Sequence, residues 1–320
     1  TSKTLATTLP LYQNSGENRM ITVFGSINVD LILKTERLPG PGETVLCPSY
    51  VTVPGGKGAN QALAAAKAGS SVRLVGCVGN DDFKHVALHD LQKAGVDLSA
   101  VRTTASRTAC AAVMVDALGE NAIVVASGAN RDASAAFIPI EAFALDSLLM
   151  LQMEVPLEEN WCAIEQAKAA GLKVMLNLAP AAPIPPEILG LIDYLLVNEL
   201  EGRTIASISE LRHLPSDQLP QNLAQRYGLT CVLTLGGAGA IAADPDSVWR
   251  VPALKIAQIV DTTGAGDAFA GCFAAALTRG EETRAALNFA AVGAGLSCTT
   301  LGAQPSFPTA GAINSVRLQK

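Results

Sequence analysis

Short apolar runs separated by helix-period segments constrain this chain more than any other feature. Runs at 21–24, 73–78, 148–153, 173–178, 193–197 and 231–235 are too short for core helices. Between several of them, segments at 60–68, 83–94, 160–170 and 219–227 repeat apolar residues at three- and four-residue intervals. Strands buried on both faces read as unbroken apolar runs, and strands alternating with helices build βαβ units. The expected fold is therefore α/β, a mostly parallel central sheet with helices on both faces. Ligands of such sheets bind beyond the carboxyl ends of the strands, which is where chemistry is to be sought.

Two stretches break the rhythm. Residues 31–53 are extended pieces punctuated by Pro39, Gly40, Pro41 and Gly42, and residues 101–125 read as a hairpin turning near 116–121. Together they are expected to form a small β-sheet projecting from the main domain, residues 20–320, as a lid over a substrate; ordinary surface hairpins give the same pattern. Residues 1–19 lack the apolar core of a secretory signal and show no periodicity, so they are expected to be a disordered leader or a cloning remnant.

Composition excludes several functions. The chain has 320 residues, enough for a large interior, and only 16% are charged while 49% are hydrophobic, which removes disordered and coiled-coil classes. A net charge of -6 without any Lys/Arg stripe, and 4% aromatic residues, argue against nucleic acid as a partner. The longest uncharged stretch, 285–316, is broken by Asn288, Thr299, Thr300, Gln304, Pro305 and Pro308, so it reads as a buried helix and a polar loop, and no membrane partner is expected. Seven cysteines without a CxxC pair fit neither a disulfide framework nor a zinc site, and suit free thiols in a reducing cytoplasm. His85 and His89 share a helix face, but no Glu follows His85 and no third ligand is evident.

The candidate chemistry sits in five segments. In GSINVD, residues 25–30, Asn28 and Asp30 point to one side of an extended chain, where an amide and a carboxylate suit vicinal hydroxyls; turn chemistry also explains such a pair. In PGGKGANQ, residues 54–61, glycines precede a helix and Lys57 and Asn60 add donors, but the spacing is neither a Walker A loop nor a dinucleotide fingerprint. No G-x-G-x-x-G follows the first strand, which disfavours an NAD-dependent oxidoreductase, and no G-x-S-x-G motif suggests a hydrolase. In NELE, Asn198 and Glu201 have the spacing of a capping box, and equally that of a pair organising magnesium-bound waters at a strand end. Thr234, Leu235, Gly236, Gly237, Ala238 and Gly239 form a second glycine-rich turn that could lie against a nucleotide. Finally, DTTGAGDAFAG, residues 261–271, opens an apolar helix with Gly264, Ala265, Gly266 and Asp267: backbone N–H groups for an anion, and a carboxylate beside them able to take a hydroxyl proton.

With these segments in order, and with PGETV, the Glu154 of LLMLQME and GAQPS added, the chain resembles the PfkB carbohydrate kinase family from about residue 21 to 308, and within it the ribose kinases. The DTTGAGD segment is the specific part. The resemblance implies a ribokinase-like fold with a β-sheet lid and the ATP-dependent phosphorylation of D-ribose to D-ribose 5-phosphate. It implies Asp267 as general base, Gly264, Ala265 and Gly266 as anion hole, and Asn28, Asp30, Gly56, Lys57, Asn60 and Glu154 around the sugar. Asn198, the turn from Thr234 to Gly239, and Gly266 would meet ATP; Glu201 would help place Mg²⁺ through water. Asp261, Thr263, Ser297, Thr300, Gly302 and Ser306 match a monovalent cation (K⁺) site, and the lid would also make a homodimer. Two positions depart from the family pattern: Thr300 replaces an Arg, and Ala291 a His near the adenine, which bears on nucleotide preference. The competing readings are a family kinase of another sugar or a nucleoside, the latter needing an extra base pocket, and a non-catalytic sugar or nucleotide sensor, against which Asp267 and Lys57 argue.

Overall fold

In a computed structural model, residues 19–144, 146–208 and 210–318 are described; the expected leader lies outside them except for Arg19. The strands are β1 (Met20–Phe24), β2 (Asn28–Lys34), β3 (Tyr50–Gly55), β4 (Ser71–Gly79), β5 (Val101–Thr104), β6 (Ala109–Val115), β7 (Asn121–Ala126), β8 (Leu148–Leu151), β9 (Lys173–Asn177), β10 (Tyr194–Asn198), β11 (Thr230–Thr234), β12 (Ala240–Ala243) and β13 (Val248–Val251). The helices are α1 (Lys57–Lys67), α2 (Phe83–Lys93), α3 (Leu157–Ala169), α4 (Pro186–Leu189), α5 (Glu199–Ile208), α6 (Leu219–Tyr227), α7 (Ala265–Thr278), α8 (Thr283–Ser297), α9 (Ala303–Ser306) and α10 (Ala310–Arg317).

The main sheet has nine strands in the order β13-β12-β11-β10-β9-β8-β1-β4-β5. From β11 to β5 every pairing is parallel; β12 and β13 add an antiparallel edge. The apolar runs explain this choice. All four residues of β8 and four of the five in β1 are buried, as a strand covered on both faces requires. One apolar layer joins α1, α7 and α8 to one face, and a second joins α3, α5 and α6 to the other.

Four strands form a separate small sheet in the order β3-β2-β6-β7, the lid. Its outer pairings are antiparallel, whereas β2 and β6 run parallel. The lid segments differ from the expected 31–53 and 101–125 at both ends. The first begins at Asn28, and Val101–Thr104 belongs instead to the main sheet, parallel to β4. The physical reason is local: β5 is a short, half-exposed edge strand rich in β-branched residues, and such a sequence does not distinguish a sheet edge from a hairpin arm.

Small residues let the layers approach closely. A Cβ on Gly271 of α7 would sit 2.7 Å from the Gln61 carbonyl oxygen and 2.7 Å from the Ala64 Cβ of α1. Gly271 lies four residues after Asp267, on the same helix face, so this close crossing also carries Asp267 up to α1. Deeper in α7, Phe273 stacks with Phe269 at 6.3 Å and meets the edge of Tyr194 at 6.0 Å, anchoring the helix to the sheet.

Candidate active site

The carboxyl ends of β1, β8, β9, β10 and β11 and the N-terminal ends of α1 and α7 converge on one cleft, as an open parallel sheet dictates. On one side the chain leaves β1 through Gly25 and enters the lid at Asn28. Asn28 is buried, and its Oδ1 accepts a hydrogen bond from Asn130 Nδ2 at 2.7 Å; Asn130 Oδ1 in turn accepts from the Ile27 N–H. Glu154 Oε2 accepts from Ser26 Oγ at 2.6 Å and from the Lys57 N–H at 3.0 Å, tying the loop after β8 to the start of α1. Gly56 caps α1 and Asn60 stands in its first turn. A cavity of about 590 Å³ opens here, lined by Asn28, Asn130, Arg131 and Glu154 with Val125 of the lid above.

Asp267 lies against the start of α1. It is buried in the first turn of α7, and both carboxylate oxygens are held: Oδ2 accepts from Asn60 Nδ2 and Oδ1 from Gln61 Nε2, each at 2.9 Å. Burial pushes its carboxyl above the ordinary range, opposed by Lys57 and by these two amides. Burial likewise raises Asp30 to about 6, with Glu154 and Asp267 adding repulsion and Lys57 relieving it. Burial alone would lower Lys57, but the carboxylates of Asp267, Glu154, Glu201 and Asp30 outweigh it and hold the ammonium above its usual value. One cation thus serves four acids.

The Asp30 shift predicts a pH-dependent change in stability. Between pH 4 and 6 the folded chain holds a proton that the unfolded chain has released, so Asp30 costs stability as pH rises through this window and costs most above it. Asp30→Asn is expected to be more stable than the parent at pH 8, by up to about 3 kcal/mol for a shift of roughly two units. That advantage should vanish below about pH 4. Thermal unfolding across pH 4–8 checks it; a variant equally or less stable at pH 8 would contradict the assignment.

The N-terminal end of α7 is capped by Gly264 in the left-handed conformation, φ +75°. This turn is closed by the Ala265 N–H donating to Thr262 O, so Ala265 is not an open donor as expected from sequence. Among the described residues, the N–H groups of Gly266 and Asp267 meet no acceptor, and a Cβ on Gly266 would touch nothing within 4 Å. Open space also fronts Gly236 and Gly237 in the turn after β11, where the Leu235 N–H donates to Gly239 O and Ala238 completes a single tight helical turn. Thr234 Oγ1 bonds back to Val197 O, linking this turn to β10.

Asn198 and Glu201 make a reciprocal capping box: the Glu201 N–H donates to Asn198 Oδ1, and the Asn198 N–H to Glu201 Oε2. The cap leaves Glu201 buried, its carboxyl raised mainly by that burial, with Oε1 uncommitted among the described residues. Of the six positions matched to a cation site, Asp261 ties two others to itself: its Oδ1 accepts from Thr263 N–H and Oγ and its Oδ2 from the Gly302 N–H. Ser297 and Ser306 hydroxyls donate to carbonyls three residues back, and the Thr300 N–H donates to Ser297 O. Ala291 is buried on α8 within the core. Among the described residues no three His, Cys, Asp or Glu side chains gather as a metal site.

Sequence reading missed the supporting amides. Gln61 and Gln304 stand inside the quoted segments GGKGANQA and GAQPS, yet nothing in either segment says that they face Asp267 and Asn60. Ser26, Asn130 and Gln152 carried no signal beyond being polar residues beside strand ends.

Similarity to known proteins agrees with this geometry. The family model described as pfkB family carbohydrate kinase matches residues 18–310. A ribokinase of Bacillus subtilis is 36% identical over 293 residues, 91% of this chain and 97% of that protein. The crystal structure of a ribokinase from Thermotoga maritima superposes with a TM-score of 0.86 at 32% identity, covering 94% of this chain and 99% of that one. A ribokinase of Arabidopsis thaliana, complexed with ribose and ATP, superposes with a TM-score of 0.85 at 32% identity over 94% and 99% of the two chains. Cleft and kinship agree: this chain belongs to the pfkB family of carbohydrate kinases.

Proposed function

We propose that the chain transfers the γ-phosphoryl group of ATP to the primary hydroxyl of D-ribose, giving D-ribose 5-phosphate and ADP. The observation that carries this is Asp267, a buried carboxylate held by two amides, faced by Lys57 and set beside open backbone N–H groups. Asn28, Asp30, Asn60 and Glu154 hold the sugar hydroxyls, with Gly56 and Lys57 at its edge. As the hydroxyl oxygen attacks phosphorus in line, its proton passes to Asp267, the bond to the β-phosphate bridging oxygen breaks, and ADP leaves. The N-terminal end of α7, chiefly Gly266 and Asp267 N–H, faces the negative charge of the transferring group. Asn198 and the 234–239 turn take the rest of the nucleotide.

Glu201, with Oε1 uncommitted among the described residues, would hold waters of a Mg²⁺ supplied with ATP, which would neutralise phosphate charge. The Asp261 carboxylate and the hydroxyls of Thr263, Ser297 and Ser306 are hard oxygen donors of a kind that would suit K⁺. We assign the chain to the reducing cytoplasm on its seven free thiols. Among the described residues no helix is long and apolar enough to cross a membrane.

A homodimer through the lid is supported by apolar side chains left outside on its two edge strands: Tyr50, Val51, Ile123, Val124 and Val125 are each at least half exposed. Val124→Asp is expected to convert a dimer into a monomer in sedimentation; a parent chain that sediments as a monomer would end this reading.

The function is tested by ADP release across ribose, deoxyribose, fructose and nucleosides, with and without potassium. Ribose is expected to be preferred. Turnover of another acceptor with none on ribose would keep the kinase and remove the substrate.

A further inference from the structure

Asp267 is flanked by buried amides that proton transfer itself does not use. An ionised carboxylate only accepts hydrogen bonds, so both amides that meet it must turn their NH₂ groups inward. Asn60 and Gln61 do so, at 2.9 Å each. Their carbonyl oxygens then point away from Asp267, and each needs a donor of its own.

Two further glutamines supply those donors. Gln304 of α9 gives Nε2 to Asn60 Oδ1 at 3.0 Å, and Gln152, just past β8, gives Nε2 to Gln61 Oε1 at 2.8 Å. The second hydrogen of Gln61 Nε2 goes to Asn177 Oδ1 at 2.9 Å. Gln61 and Gln152 are 0% exposed and Gln304 is 1% exposed. Among the described residues the outer oxygens of Gln152 and Gln304 have no donor, although both are buried. An unpaired buried oxygen destabilises, and an apolar side chain of similar shape would avoid it, so stability does not account for glutamine at either place.

We propose that Gln304 and Gln152 are positioning residues for the reaction: by donating to Asn60 and Gln61 they fix which way those amides face, and so hold both oxygens of Asp267 towards the sugar hydroxyl. This rests on the reading of Asp267 as the base. The charged groups facing it are Lys57 of α1, Glu154 beyond β8, Asp30 of β2 and Glu201 of α5. None of them touches the outer glutamines through a hydrogen bond, so the amides and the charges act on Asp267 separately.

The test is a pH profile of kcat for Gln304→Met and Gln152→Met, near-isosteric changes that remove the donor. Each is expected to lower kcat about 10- to 100-fold, leave KM for ribose within about twofold, and move the acid limb upward by about one pH unit. Gln304→Glu sets an acceptor against Asn60 Oδ1, so Asn60 must turn over, and a larger upward move of the limb is expected. It also serves if a methionine variant fails to fold. A purely structural role would lower Tm and leave the limb in place; folded variants with the parental limb and kcat overturn the proposal. Asp267→Asn, run in parallel, separates the two readings. If it still turns over, the base assignment falls and takes the relay with it; if it is inactive while the glutamine variants behave as the parent, only the relay falls.

Discussion

Asp267→Asn should fold, bind ribose with little change in KM, and lose about three orders of magnitude in kcat, inside the 10²–10⁴ range of a positioned general base. The geometry makes this substitution unusually clean. Asn keeps the shape of Asp in the first turn of α7, where the side chain is only 8% exposed. It removes a buried charge that burial already disfavours, so the folding cost is small and Tm should move by no more than a few degrees. One local change is unavoidable. An amide at 267 offers a single oxygen, so only one of Asn60 and Gln61 keeps its acceptor. Steady-state kinetics with a melting curve on the same sample checks the outcome, and a variant turning over within tenfold of the parent would remove Asp267 from its role.

Gly264→Ala should damage both stability and turnover. At φ +75° an alanine pays the left-handed penalty of about 1–2 kcal/mol. Its Cβ would also sit 2.6 Å from the Ala303 Cβ and 3.0 Å from the Ala303 Cα, so α9 must move away, at a further cost of about 1–3 kcal/mol. A loss of roughly 2–5 kcal/mol lowers Tm by about 5–15 °C in a chain of this size. Because α9 carries Gln304, whose side chain reaches Asn60, the displacement travels to Asp267, and kcat is expected to drop about 100-fold. An alanine variant with the parental melting curve would show that α9 is free to shift, contrary to the packing described.

The sequence was most legible where local physics decides the outcome. Unbroken apolar runs located six of the seven parallel strands, because a strand covered on both faces leaves no polar alternation to confuse it. The seventh, Val101–Thr104, was assigned to the lid because an edge strand needs only half-buried β-branched residues, as a hairpin arm does. The glycine-rich turn at 261–267 was legible too, since a positive-φ glycine opening an apolar helix has few other uses. What could not be read was partnership. Gln61 lies 206 residues from Asp267, and no local pattern marks an amide for a distant carboxylate. Asn198 and Glu201 show the converse: their capping box was visible from spacing alone, and it is the very geometry that keeps Glu201 in place.

The hydrogen bond from Gln304 to Asn60 closes a span of 244 residues. During synthesis at about 5–20 residues per second, roughly ten to fifty seconds therefore separate the emergence of its two ends. For most of that interval the growing chain already carries Asn28, Asp30 and Lys57 but not Asp267, and Gln304 of α9 follows Asp267 by a further 37 residues. A ribosome-bound fragment of the first 266 residues carries several of the groups proposed to hold the sugar but not the proposed base. Activity in this architecture is the last property to arrive, and it arrives in one step when the C-terminal segment docks.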